Sequence, residues 1–357
     1  MLVNGRYYRS IWFNDEENCV CLIDQTKLPF RFEVMDLKSL EDVVMAIKTM
    51  QVRGAPLIGA VGSFGLYFAC LESADDHSIE RAAEKIIGTR PTAVNLRWAV
   101  ERILKGIRNV DPDHRAKKAY SIALQLVEED VKINESIGNY GLSIIQNLYE
   151  KKKETIHILT HCNAGWLATV DWGTALAPIY KAAAADIPVH VWVGETRPRN
   201  QGMFLTAWEL YQQGISHTVI VDNVGGHLMQ HGKVDLVLVG SDRTTRTGDV
   251  CNKIGTYLKA LAAFDNDVPF YVALPISTID FSMEDGLREI PIETRSEKEV
   301  THLVGAAEGQ LLEISLCPPF TKSANYAFDV TPARLISGLI TEKGICGATA
   351  TEIANLR

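Results

Sequence analysis

The rhythm of apolar positions along the chain changes twice. Residues 7–13, 19–23 and 30–34 are short runs of β-branched and aromatic residues between polar stretches, and each predicts a strand. Over 39–50, 56–71 and 93–107 the apolar positions recur every three to four residues, and they do so again, with a break near Lys132, as far as Lys152. That is the spacing of helices burying one face, so residues 1–150 read as a helix-rich domain with a few short strands. Gly59, Gly62 and Gly65 fall three apart on the most apolar of these helices. No strand precedes them, so they are not a dinucleotide-binding loop; the spacing predicts a close approach by a neighbouring backbone.

From Thr155 onward, short β-branched runs at 156–160, 189–193, 218–221, 234–239 and 270–273 alternate with helical segments. Strands apolar on both faces and separated by helices predict a mostly parallel sheet in a Rossmann-like α/β domain over 151–357. The charge run at 151–154 marks the boundary between the two domains. Ligands of such sheets lie beyond the carboxyl ends of the strands. The polar segments 161–165, 195–202, 222–226, 241–253 and 275–280 all fall there.

Composition narrows the classes. With 357 residues, 46% of them hydrophobic, the chain can bury a large core. Its 36 basic and 44 acidic residues give a net charge of −8, which offers nucleic acid or an anionic membrane no broad attraction but leaves room for a local basic pocket. No run of eighteen apolar residues and no secretory leader are evident, so a cytoplasmic location is expected. Seven scattered cysteines, odd in number, predict reduced thiols, and without a CxxC pair no structural zinc is expected. The CysxCys at 19 and the HisxCys at 161 do not read as metal sites.

Chemistry concentrates at a few strand ends. After the strand ending at Thr160, Cys162 precedes a turn through Asn163 and Gly165 into a helix, a placement that favours thiolate; a buried structural thiol is the competing reading. Asp242 follows the strand ending at Val239 and is placed for general acid or base work, or else for capping a turn. Arg53, Gly54 and Ala55 lead into a helix opened by Pro56, Arg90 stands before another helix start, and Asn252 and Lys253 are expected in the first turn of a third. Cys251 falls at that same expected helix start. On 195–202, Gln201 offers an amide to a ligand, whereas Arg197 and Arg199 suit bracing of the loop. His161, extended beside Cys162, points away from it, so a Cys–His dyad is disfavoured.

Taken together, Val-Arg-Gly-Ala-Pro at 52–56, Arg-Pro-Thr-Ala-Val-Asn-Leu at 90–96, Leu-Thr-His-Cys-Asn-Ala-Gly at 159–165, Glu-Thr-Arg-Pro-Arg-Asn-Gln-Gly at 195–202, Thr-Ala-Trp-Glu-Leu at 206–210 and Gly-Asp-Val-Cys-Asn-Lys-Ile-Gly-Thr-Tyr at 248–257 resemble the methylthioribose-1-phosphate isomerase family. The order is the family's, and the likeness extends over residues 50–345. The resemblance implies a helical amino-terminal and a Rossmann-like carboxy-terminal domain, a homodimer, no cofactor and no metal. It also implies conversion of 5-methylthioribose 1-phosphate to 5-methylthioribulose 1-phosphate in methionine salvage. Carried over by motif, Cys162 and Asp242 are the catalytic pair, and Arg53, Gly54, Ala55, Arg90, Gln201, Asn252 and Lys253 bind substrate. Ser241 stands where the family more often has alanine. Segments 171–176 and 242–248 resemble a bacterial subset whose relatives also handle 5-deoxyribose 1-phosphate. Ribose 1,5-bisphosphate isomerisation and a non-catalytic role like that of the related initiation factor 2B subunits are the other readings; retention of both Cys162 and Asp242 argues against the last.

Overall fold

The computed structural model describes residues 1–90 and 93–357; Pro91 and Thr92 of the 90–96 motif lie outside them. A two-strand ribbon, β1 (Leu2–Val3) and β2 (Arg6–Tyr7), precedes an antiparallel sheet of β3 (Ile11–Asn14), β4 (Cys19–Ile23) and β5 (Val34–Leu37). The strand expected at 30–34 therefore begins where it was to end, at Val34, which pairs with Ile23. Helices α1 (Leu40–Lys48), α2 (Ala55–Glu72), α3 (Asp76–Ile87), α4 (Val94–Ile107) and α5 (Pro112–Lys152) come after it.

α2 is apolar all round and 83% buried, the condition of a core helix, although its length and composition alone would let it cross a membrane. Its glycines show why it packs so closely. A Cβ on Gly59 would stand 2.9 Å from the Asn95 carbonyl oxygen, one on Gly62 2.5 Å from Leu96 Cδ1, and one on Gly65 2.8 Å from Ile86 Cδ1. The expected backbone approach is found at Gly59 alone; Gly62 and Gly65 make room for side chains. α3 was absent from the sequence reading despite a signal: Asp75 caps it, and Ile79, Ala82, Ala83 and Ile86 form its buried stripe. The break near Lys132 is not there either, because α5 is one helix of 41 residues. Its apolar stripe changes partner instead. Ala119 to Val127 pack with α2 and α4, whereas Ile137 and Ile145 join the core of the next sheet.

That sheet is built from β6 (Ile156–Thr160), β7 (Val189–Gly194), β8 (His217–Ile220) and β9 (Leu236–Val239), with α6 (Ala177–Ala184), α7 (Ala207–Gln212) and α8 (Val224–Gln230) between them. β10 (Arg243–Thr245), β11 (Val250–Lys253), α9 (Thr256–Asp265), β12 (Phe270–Ala273) and β13 (Ile279–Asp280) come next. Two short helices, α10 (Gly286–Glu289) and α11 (Lys298–Thr301), lead to a hairpin of β14 (His302–Ala307) and β15 (Gln310–Ser315). The chain finishes with β16 (Phe328–Thr331), β17 (Gly338–Thr341), β18 (Gly344–Cys346) and α12 (Ala350–Ala354).

The seven-stranded sheet has the order β18-β17-β12-β9-β6-β7-β8, parallel except for the β17–β18 pair. β6 sends the chain outward to β7 on one side and has β9 on the other, so the strand order reverses between β6 and β9. A crevice opens beyond the carboxyl ends at such a reversal. A four-stranded sheet, β13-β10-β11-β16, stands over this edge. It corrects the sequence reading of 249–255: Cys251, Asn252 and Lys253 lie on a strand paired with β16, and the helix starts only after Gly255, whose φ of 99° ends the extended run. Buried Val250 and Cys251 favour the ladder, and the turn chemistry falls at Gly255 rather than at Asp249.

Candidate active site

Cys162 follows β6 and Asp242 follows β9, the two strands flanking the reversal. Cys162 has a φ of 62°, a left-handed conformation that costs a non-glycine residue about 1–3 kcal/mol. Its neighbours hold it there. Its N–H donates to Thr196 Oγ1 at 2.8 Å, and its carbonyl accepts from the Thr206 hydroxyl at 2.6 Å. Thr196 and Asn200, on the loop after β7, share the positive φ.

The thiolate expected of Cys162 gives way to a protonated thiol. Burial pushes its pKa up, and the opposing cations Arg53 and Lys253 do not reverse this. Beyond the cysteine the chain enters a 3₁₀ turn of three residues, Trp166–Ala168, and not a long helix whose amides would hold an anion. Asp242 is likewise pushed up by burial, against Lys253, Arg90 and Arg53. Its backbone N–H donates to the Cys251 carbonyl at 3.0 Å, which ties it to β11. The Ser241 hydroxyl, the departure from the family pattern, is engaged with Thr244 Oγ1 at 2.9 Å.

Around these two groups the chain assembles cations and amides. Arg53, buried, donates to Asn163 Oδ1 at 2.5 Å and to the Asn163 carbonyl at 2.6 Å. Gly54 caps α2 with a φ of 92°, and a Cβ there would fall 2.3 Å from the Ala168 carbonyl oxygen. Only glycine fits, and it presents the first amides of α2 to the cavity. Arg90 pairs with Glu293 at 3.2 Å, and its Nε is buried with no hydrogen-bonding partner among the described residues. Lys253 Nζ donates to the Ala327 carbonyl and sits 4.2 Å from the Phe328 ring centre; burial lowers its pKa. Asn252 Nδ2 donates to Thr256 Oγ1 at 3.2 Å. Gln201 is buried at the head of the helical turn leading into α7.

Arg53, Gly54, Ala55, Arg90, Cys162, Gln201, Asp242, Asn252 and Lys253 all line one cavity of about 60 Å³. It shares Met50, Arg53 and Gln201 with a neighbouring pocket of about 280 Å³. The small cavity is below the ~300–1,000 Å³ of small-molecule sites, so a sugar phosphate needs both. The larger pocket is apolar along Leu28, Phe30, Met50, Phe204 and Leu205; apart from Arg53 at the shared edge, its cations pair within it, Arg199 with Glu299 and Lys298 with Glu313.

Other sequence candidates are structural. His161 is buried, with Nε2 2.8 Å from the Ile254 carbonyl oxygen, and burial beside Lys259 drives its pKa well down. Arg197 spends its guanidinium on the Pro198 and Val300 carbonyls. Cys19 and Cys21 lie on one face of β4 with sulfurs 3.9 Å apart, and with Asp36 they bring three ligand atoms within 4.8 Å of one another. The spacing alone did not reveal Asp36, which β5 supplies opposite Cys21; the set is one donor short of a structural zinc. Asn163, Thr206 and Glu209 were missed. A lone carboxylate on an apolar helix, Glu209 within the 206–210 motif, was the available signal.

A parallel sheet with a polar cavity at its strand-order reversal, lined from a helical cluster on one side, defines an α/β small-molecule enzyme fold. The profile of the initiation factor 2 subunit family matches residues 51–348, and the chain belongs to that family. Its sequence is 58% identical over the whole chain, and over 93% of the relative, to methylthioribose-1-phosphate isomerase of Rhodospirillum rubrum. It is 56% identical, over the whole chain and 99% of the relative, to the enzyme of the same name in Paramagnetospirillum magneticum. Among solved structures, 5-methylthioribose 1-phosphate isomerase from Pyrococcus horikoshii superposes with a TM-score of 0.84 at 35% identity, covering 98% of this chain and 96% of that one. Translation initiation factor eIF-2B subunit delta from A. fulgidus gives 0.77 at 38%, covering 95% and 96%.

Proposed function

We infer that this protein is an aldose–ketose isomerase that converts 5-methylthioribose 1-phosphate to 5-methylthioribulose 1-phosphate in methionine salvage. The observation that carries the chemistry is the meeting of Asp242 and Cys162 in one buried cavity edged by Arg53, Arg90 and Lys253. A phosphate on the anomeric oxygen prevents spontaneous ring opening, so the ring C–O bond must be broken with acid on the ring oxygen. Asp242, whose pKa burial raises, is the donor. The ring oxygen leaves as the 4-hydroxyl with the proton from Asp242, the hydrogen on C2 moves to C1, the C2 hydroxyl proton restores the Asp242 carboxyl group, and a C2 carbonyl forms. C1 is reduced as C2 is oxidised, so atoms and electrons balance within the sugar. Cys162 takes part in the C2-to-C1 transfer. Arg53, Arg90, Lys253 and the amides behind Gly54 suit the phosphate.

Asp242→Asn is expected to lower kcat by about 10²–10⁴-fold with KM little changed, and near-normal turnover would remove the assignment. Substantial activity in Cys162→Ser would reduce the thiol to packing. Retention of the C2 hydrogen at C1 in deuterated water marks hydride transfer; its exchange marks a proton route.

The apolar wall of Leu28, Phe30, Met50, Phe204 and Leu205 suits a methylthio group better than a 5-phosphate, because the cations beside it, Arg199 and Lys298, are already paired with Glu299 and Glu313. A methylthio group adds mostly apolar contact, so kcat/KM should favour methylthioribose 1-phosphate over 5-deoxyribose 1-phosphate by about 10–200-fold. Equal values would make this a dual-substrate enzyme. A cytoplasmic homodimer belongs to the same proposal; a light-scattering mass of a single 39.5 kDa chain would remove the dimer.

A further inference from the structure

Glu209 is fully buried on α7, and four donors converge on its carboxylate. Oε1 accepts from Asn163 Nδ2 at 2.8 Å and from Leu167 N at 3.0 Å; Oε2 accepts from Trp166 N at 2.9 Å and from the Tyr180 hydroxyl at 2.7 Å. Three of these are N–H groups that cannot reverse, so the group is held as an acceptor at both oxygens. A Cβ on Gly165 would lie 1.8 Å from Oε2, which shows how closely the loop is drawn onto it.

The partners determine what this group does. Asn163 is the residue that Arg53 grips, and its Nδ2 is fixed by Glu209 and by Thr206 Oγ1 at 3.1 Å. The amide therefore cannot flip, and its Oδ1 faces the guanidinium. A buried acceptor, whose pKa burial raises against the Tyr180, Asn163 and Leu167 hydrogen bonds, is in this way coupled to the buried cation of the cavity through one amide. Trp166 and Leu167 open the turn that succeeds the Cys162 loop. Thr206, three residues before Glu209 on the same helical face, holds the Cys162 carbonyl. The carbonyl side of the left-handed cysteine and the turn after it are thus anchored by one helix whose head carries Gln201, while Thr196 holds the cysteine N–H.

We propose that Glu209 is a positioning residue for the isomerisation: through the Asn163 amide it aims Arg53 at the substrate phosphate, and through the Trp166 and Leu167 amides it holds the Cys162 turn in its left-handed form. This rests on the site reading given under the proposed function.

Glu209→Gln keeps the shape but turns an amide N–H₂ toward N–H donors. In steady-state assays it should lower kcat about tenfold or more and weaken inhibition by inorganic phosphate by about 10–100-fold. Tyr180→Phe removes a donor from the same carboxylate on the side away from Asn163; it should lower the Tm while leaving kcat and the phosphate inhibition constant at wild-type values. Wild-type kinetics in folded Glu209→Gln, or equal kinetic losses in Tyr180→Phe, overturn the proposal. Should Glu209→Gln not fold, Asn163→Ala removes the amide that links Glu209 to Arg53 and leaves only the main-chain carbonyl contact, and unchanged phosphate inhibition there overturns it equally. Asp242→Asn run beside them separates the two inferences: if it is inactive while Glu209→Gln is normal, only the role of Glu209 fails, whereas an active Asp242→Asn removes the site reading beneath both.

Discussion

A buried carboxyl group that keeps its proton resists losing it, and Asp130 is such a group. Burial raises its pKa to about 7, with the Val170 N–H, which donates to it at 2.7 Å, as an opposing influence. The folded pKa lies above the ordinary value of 3.8, so its contribution to stability is whole below about pH 4 and is lost as pH rises through 7. Asp130→Asn keeps an acceptor for Val170 and carries no proton to lose. Its Tm should exceed wild type at pH 8, approach it at pH 4, and so flatten the dependence between; parallel curves for the two proteins would contradict this. For Asp242 the same direction of shift means that turnover declines on the alkaline side as the acid is lost. Cys162 and Asp242 were legible as candidates at the carboxyl edge of a parallel sheet, where a structural thiol and a turn cap remained open; the family resemblance supplied their roles, and both line one cavity. Glu209 was not legible, since its meaning lies in four partners up to 46 residues distant.

At the scale of elements, rhythm located most strands and helices, and it failed where one element serves two neighbours. α5 read as two helices because polar Asp130 and Asn134 occupy its buried face where the helix passes from one core to the next. β11 read as a helix start because the true start, at Gly255, is only two residues beyond it. Gly141, in the second half of α5, tests how tightly that half is seated. Alanine in a helix ordinarily gains about 0.5–1 kcal/mol over glycine. Here a Cβ would stand 2.3 Å from Pro178 Cγ, in a ring that cannot rotate aside. Overpacking costs about 1–3 kcal/mol, so Gly141→Ala should be net destabilising in urea unfolding. A stabilised variant would show that α6 yields.

Across the whole molecule the cavity draws on both halves of the chain: Arg53 to Ala55 from the start of α2, Cys162 and Asp242 from the sheet, and Lys253 from the sheet laid over it. Only the class of this arrangement was visible beforehand, because the β13-β10-β11-β16 sheet depends on contacts between segments up to 81 positions apart, such as Val250 with Thr331. Val3, Ile23 and Leu28 also pack in the same core as β6 and β7. Calorimetry should accordingly record one unfolding transition, and two resolved peaks would contradict the shared core. α5 runs about 60 Å and belongs to both cores along its length. Neither half is portable as a result: a cut within the middle of that helix leaves each fragment with an apolar stripe open to water.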